Sequence, residues 1–233
     1  MALAPPVLSM RLPVLVIGNK NYSSWSLRPW LLLSHFGVAF EEVRLPLDTP
    51  QFAAEVGRHS PTGKVPALHD DDVHVWDSLA ICEYANERWL DGQGWPRERA
   101  ARAVARAAAA EMHSGFTALR TQLPMNSRRT PDAYRWDAAA QRDIDRIQAL
   151  WRELPEAHGG DGDFLFGGFG IVDAMYAPVA VRFDGYGVEV DDTTRRYMQA
   201  LFALPAMQAW RAAAALEPES VPATDALRKP LPA

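Results

Sequence analysis

The chain has 233 residues, a formal net charge of -5, 48% hydrophobic and 23% charged residues, and one cysteine. This is the composition of an ordinary folded protein, long enough for two compact domains. A lone Cys82 excludes a disulfide framework and a cysteine-based zinc site, and the acidic balance gives no basis for nucleic-acid binding.

Residues 1 to 12 read as a loose tail. It lacks the basic start of a secretory leader, and Pro5, Pro6 and Pro13 interrupt any apolar core. No apolar stretch approaches the ~20 residues that span a bilayer, so the cytoplasm is the expected location. The β-branched run Val14-Leu15-Val16-Ile17, ended by Gly18, predicts a buried strand. Asn19 to Ser24 is polar and turn-like. From Trp25 to Phe36 the pattern is helical, with Leu27, Trp30 and Leu31 at i, i+3, i+4 spacing and Gly37 as terminator. Pro29 fits such a helix only in its first turn.

Glu42 to Leu45 alternates as a strand does. Thr49-Pro50 is a cap followed by Pro at the first helical position, opening a helix to about Val56. Ser60 to Gly63 is a turn. Val65 to Leu68 and Val73 to Trp76 flank three aspartates, which predicts a hairpin, and Asp77-Ser78 caps a helix to about Leu90. The order β-α-β-α-β-β-α argues for a mixed sheet with helical cover.

Asp91 to Pro96 is a breaker cluster and the expected linker, after which strand signals nearly vanish. The Arg-containing run from Arg97 to Arg106 alternates with Ala and reads as a solvated helix face. Val104, Ala108, Met112, Phe116, Leu119 and Leu123 mark the buried face of one long helix stopped by Pro124. Thr130-Pro131 opens the next, burying Ile144, Ile147, Trp151 and Leu154. Gly-rich residues 159–170 lead to a helix from about Ile171, two shorter helices divide near Pro205, and the Pro-rich end reads as an extended tail. The expected domains are therefore 13–91 and 97–217.

Three places carry chemistry. Val65-Pro66 follows Thr62-Gly63-Lys64, and a Pro at a strand start cannot donate to the ladder, so Val65 N–H and C=O become available to a ligand if the bond is cis. Asp77-Ser78 stands where a strand meets a helix N-terminus, which favours a carboxylate, while Asp77 offers a counter-charge to an adjacent amine. Together they suit an α-amino-acid head group; simple N-capping is the bland alternative. Ser23, Ser24 and Ser26 lie between the first strand and first helix, where hydroxyls can cap the helix or stabilise a thiolate. Cys82 sits inside a helix and reads as a small core residue. The six histidines show no HxxxH or HExxH spacing, so no metal site is expected.

These segments resemble the glutathione S-transferase superfamily. Ser60-Pro61-Thr62-Gly63-Lys64-Val65-Pro66-Ala67-Leu68 resembles its cis-proline loop, and Trp76-Asp77-Ser78-Leu79-Ala80-Ile81 its acid-Ser-x-Ala-Ile element. Ser23 to Arg28 looks like the serine signature of the zeta class, with Trp25 standing where that signature carries a Cys. The resemblance implies a thioredoxin-like α/β domain followed by an all-helical domain. It implies that Val65 pairs with the cysteinyl backbone of glutathione, that Asp77 and Ser78 hold its γ-glutamyl head, and that Lys64 reaches the glycyl carboxylate. Ser23 best matches the thiolate-stabilising serine, with Ser24 and Ser26 as alternates. Tyr22, Trp25, Met112 and Phe116 are the expected wall of the acceptor pocket. Gly170-Ile171-Val172-Asp173 stands in for the second domain's capping box.

The expected function is thus a homodimeric glutathione transferase acting on a small electrophilic substrate, with glutathione as co-substrate. A non-catalytic interaction module of the same fold is the alternative. Thiol-disulfide chemistry is disfavoured, because no Cys stands at the first helix N-terminus.

Overall fold

The computed structural model describes residues 11–227, so most of the expected N-terminal tail lies outside the described residues. The N-terminal part runs β1 (Val14–Ile17), α1 (Ser24–His35), β2 (Glu41–Arg44), α2 (Pro50–His59), β3 (Ala67–Asp70), β4 (Val73–Trp76) and α3 (Ser78–Arg88). This is the predicted order. The sheet has strand order β2-β1-β3-β4, with β1 and β2 parallel and the other pairs antiparallel. Alternation along β1 places Leu15 and Ile17 in the core shared with α1 and α3, while Val16 joins Leu45, Val56 and Ala67 on the opposite face. Both faces being covered explains why β1 is a continuous apolar run. This is a thioredoxin-like α/β unit, and a helical unit follows it.

Local signals account for most boundaries. Thr49 caps α2 by accepting from Phe52 N–H at 3.1 Å, and α2 continues three residues beyond the expected Val56. After α1, Gly37 takes φ 70°, and Gly37 and Val38 N–H donate back to Ser34 and Leu33 carbonyls. That is a Schellman ending. Pro29 departs from expectation, since it lies past the first turn of α1 and forfeits the hydrogen bond to the Trp25 carbonyl. An interior Pro costs roughly 3 kcal/mol. Burial of Leu27, Leu31, Leu32 and Leu33, at about 1.5–3 kcal/mol each, outweighs it.

The helical part comprises α4 (Arg99–Ser114), α5 (Thr117–Gln122), α6 (Ala138–His158), α7 (Ile171–Tyr186), α8 (Asp192–Ala203), α9 (Pro205–Leu216) and the short α10 (Pro222–Asp225). No helix among the described residues is long and apolar enough to cross a membrane. The single long helix expected up to Leu123 is broken at Gly115-Phe116. Arg120 folds back to donate to the carbonyls of Met112, His113 and Gly115, and Phe116 adopts φ 57°. Val104 is exposed, and Ala105, Ala108, Ala109 and Met112 form the buried stripe. An i+4 row drifts about 40° per step, so Val104 falls off a face that Ala108 and Met112 share. Thr130-Pro131 opens no helix. Asp137 is the cap instead, accepting from Ala139 and Ala140 N–H. The expected C-terminal tail contains the helical turn α10.

Buried α7 joins the two halves. It packs on α1, α3, α4 and α8, and Asp184 is its one residue that is not buried. Asp173 receives Gly170 N–H at 2.9 Å, Leu165 N–H at 3.1 Å and Tyr197 O–H at 3.0 Å, which is the capping arrangement expected of it.

Candidate functional site

A pocket of about 460 Å³ opens where β3, β4, α3 and α4 meet the start of α1. Its lining includes Lys64, Val65, Pro66, Asp77 and Ser78, so all five residues marked for ligand binding in the sequence converge there. Trp25, Trp76 and His113 complete the wall, with Thr62 at the rim. The Val65–Pro66 bond is cis. Among the described residues neither Val65 N–H nor its carbonyl has a backbone partner. An edge of this kind pairs with an extended ligand backbone as another strand would.

Asp77 uses its two oxygens differently. Oδ1 caps α3, accepting from Leu79 N–H at 2.9 Å and Ala80 N–H at 3.3 Å; Oδ2 lies 3.2 Å from His113 Nε2. The cap consumes two of the helix N-terminal donors. What remains for a ligand is Ser78, whose N–H has no backbone partner among the described residues and whose Oγ accepts from Arg28 Nη1 at 3.4 Å.

Arg28 is the electrostatic centre of this end of the pocket. It is 1% exposed, hydrogen-bonded to the Met175 carbonyl, and has no carboxylate partner among the described residues. Burial, and then the neighbouring Arg120 and Arg182, press its pKa well below the usual value. A buried cation without a counter-ion is costly. An anion at Ser78 relieves that cost, so the residues present fit a ligand carboxylate. Arg28 and Arg120 both stack on the Trp25 indole, at 4.2 and 4.6 Å from the ring, and His113 meets it edge-on. His113 is held below its ordinary pKa, first by burial and also by Arg28 and Arg120, against the opposing pull of Asp77.

The serines are placed differently. Ser26 is fully buried, accepting from Gly18 N–H at 3.1 Å and from Ser23 O–H at 2.7 Å. Ser23 is the N-cap of α1 and accepts from Ser26 N–H. Ser24, 8% exposed, has a hydroxyl with no protein partner among the described residues. None of the three lines the 460 Å³ pocket, although Trp25 between them does. Three expected wall residues are elsewhere. Tyr22 directs its hydroxyl to Asp225 and receives Arg128, while Met112 and Phe116 belong to the core. Cys82 is fully buried, and burial pushes its thiol far up, as suits a core residue. Sequence reasoning missed His113 and Arg120. His113 follows a core methionine on an Ala-rich helix, and nothing local distinguishes it from a solvated residue.

Residues 22–88 match the family described as glutathione S-transferase, N-terminal domain, and residues 137–213 match glutathione S-transferase, C-terminal domain. The chain belongs to the glutathione S-transferase superfamily. Among solved structures it is similar to a glutathione transferase homologue from Burkholderia GL BGR1 with bound glutathione, at 23% identity and TM-score 0.66, covering 88% of this chain and 99% of that one. It is also similar to a Tau class glutathione S-transferase from mango, Mangifera indica, at 18% identity and TM-score 0.64, covering 93% and 96%. Ure2p in complex with glutathione is a third, at 18% identity and TM-score 0.65, covering 86% and 99%. At such identities these likenesses define the fold. Comparison with curated protein sequences finds no match.

Proposed function

We propose that this chain is a serine-type glutathione transferase. The observation that carries the reading is the convergence of a free Val65 backbone edge, Ser78 with Arg28 behind it, and Lys64 on one pocket. Ser78 and Arg28 receive the γ-glutamyl carboxylate, Asp77 Oδ2 receives its ammonium, Val65 pairs with the cysteinyl backbone, and Lys64 meets the glycyl carboxylate. Glutathione, when bound, supplies the thiol that attacks an electrophilic carbon. Ser23 turns its hydroxyl proton from Ser26 to the thiolate, and Ser26, held by Gly18 N–H, donates its own hydroxyl to Ser23 Oγ in exchange. Ser24 is the alternate donor. Trp25 and Trp76 give the acceptor an apolar wall. Resemblance of the named solved structures, two of them holding glutathione, supports the same ligand here.

One observation favours a second reading. The three serines lie outside the pocket's lining, as they would in an interaction module that binds glutathione without activating it. A turnover assay with a panel of electrophiles separates the two. Turnover that collapses in Ser23→Ala, with glutathione binding kept, supports the transferase; glutathione binding with no turnover across the panel supports the module.

We also propose that residues 13–91 and 97–217 are the two domains, and that the chain forms a homodimer through the outer sides of α3 and α4. Exposed Val104 on α4 is the apolar group expected there.

A further inference from the structure

The loop that presents the serines, Gly18 to Ser23, is held from outside by the chain's C-terminal segment. Glu217 follows α9, where Pro218 prevents further helix. Its carboxylate is 8% exposed and accepts two consecutive backbone donors, Lys20 N–H at 2.7 Å through Oε1 and Asn21 N–H at 2.9 Å through Oε2. These donors stand 197 and 196 residues away in sequence. The next peptide units of the loop are fixed by it in turn, since Tyr22 and Ser23 N–H both donate to the Asn19 carbonyl.

Further ties close a ring around this contact. Arg128 donates to the carbonyls of Glu217 and Glu219 and to the Tyr22 hydroxyl, at 2.6, 2.8 and 2.8 Å. Tyr22 O–H donates to Asp225 at 2.8 Å, and Arg44 pairs with Glu219 at 2.8 Å. The Asn21 side-chain carbonyl accepts Arg128 N–H. The Glu217 carboxylate is the only one among the described residues that binds the backbone of this loop directly.

We infer that Glu217 is a positioning residue for the serine loop, setting where Ser23 presents its hydroxyl. This rests on the reading of Ser23 as the thiolate donor. Two effects of its removal have opposite signs. Loss of a negative charge by itself favours a thiolate and lowers the thiol pKa. Loss of the loop's anchor withdraws the hydroxyl and raises it.

The test compares wild type with Glu217→Ala, using backbone amide exchange and the ultraviolet thiolate absorbance of bound glutathione against pH. Arg211→Ala, which breaks the α9 contact to Asp184, is the control for general loosening of α9. In Glu217→Ala, the Lys20, Asn21 and Ser23 amides should exchange about tenfold faster or more. The bound thiol pKa should rise by about half a unit, a roughly threefold smaller thiolate fraction at low pH. Arg211→Ala should change neither. If Glu217→Ala does not fold, Glu217→Gln, which keeps one acceptor, should show smaller changes of the same sign. Faster exchange in a protein that binds no glutathione upholds the hold on the loop and removes only the transferase reading. An unchanged or lowered thiol pKa, or unchanged exchange, overturns the inference.

Discussion

At the start of α1 the Ser23 and Ser26 hydroxyls form a buried pair. Ser26 is committed to Gly18 N–H and Ser23, so Ser26→Ala leaves a buried backbone donor without an acceptor. Such a loss costs about 1–3 kcal/mol. Denaturant unfolding should find Ser26→Ala destabilised by that amount, whereas Ser23→Ala, which loses a cap, is destabilised by about 1 kcal/mol. In turnover, Ser23→Ala should lose about ten- to a hundredfold in kcat/KM, with the glutathione dissociation constant changed by less than about threefold. A Ser24→Ala variant that loses more than Ser23→Ala would transfer the role to Ser24. Lys64, Val65, Pro66, Asp77 and Ser78 were legible because each belongs to a short local pattern at a strand or helix end. Arg28 was legible as the end of a motif but not as a buried cation behind Ser78. His113 lines the pocket and Arg120 stacks on Trp25 from a different part of the chain, and no local pattern announces them.

Among the elements, those with their own caps were legible and those shaped by distant side chains were not. Thr49 and Asp77 each bond their own helix, whereas the sequence pattern misplaces the start of α6 at Thr130-Pro131, which offers the same local pattern of cap and Pro, and Asp137 is the cap. The end of α4 is set by the Arg120 fork and by Gly115, where a Cβ would lie 2.7 Å from the Glu111 carbonyl oxygen. The start of α7 carries a pH signature. Burial pushes the Asp173 carboxyl up to about 7 despite its three donors. The unfolded chain releases this proton near pH 4. Between those values the folded state holds a proton that the unfolded state has lost, so stability falls as pH rises through the window. Unfolding of wild type and Asp173→Asn measured at about pH 5 and about pH 7.5 should show their difference shifting by about 2–3 kcal/mol against wild type at the higher pH. A constant difference would mean that the carboxyl is ionised throughout.

At the level of the whole molecule, the thioredoxin-like order of elements followed from periodicity and caps, and the helical second half followed from the disappearance of strand signals. What sequence did not reveal is how the halves interlock: α7 against α1, and Glu217 on the serine loop. Self-association belongs at this scale too. Val104 is 38% exposed on α4, and Val104→Glu should convert a dimer to a monomer in sedimentation equilibrium. A wild-type monomer at all concentrations would dismiss the dimer. Every role proposed for the site requires glutathione binding, and calorimetric titration of the full chain tests that most directly. Binding is expected in the micromolar-to-millimolar range, about -8 to -4 kcal/mol, weakened about tenfold or more in Ser78→Ala/Asp77→Asn, which keeps the Oδ1 cap on α3. A folded protein that takes up no glutathione, or a double variant that binds it as tightly as wild type, would contradict the account.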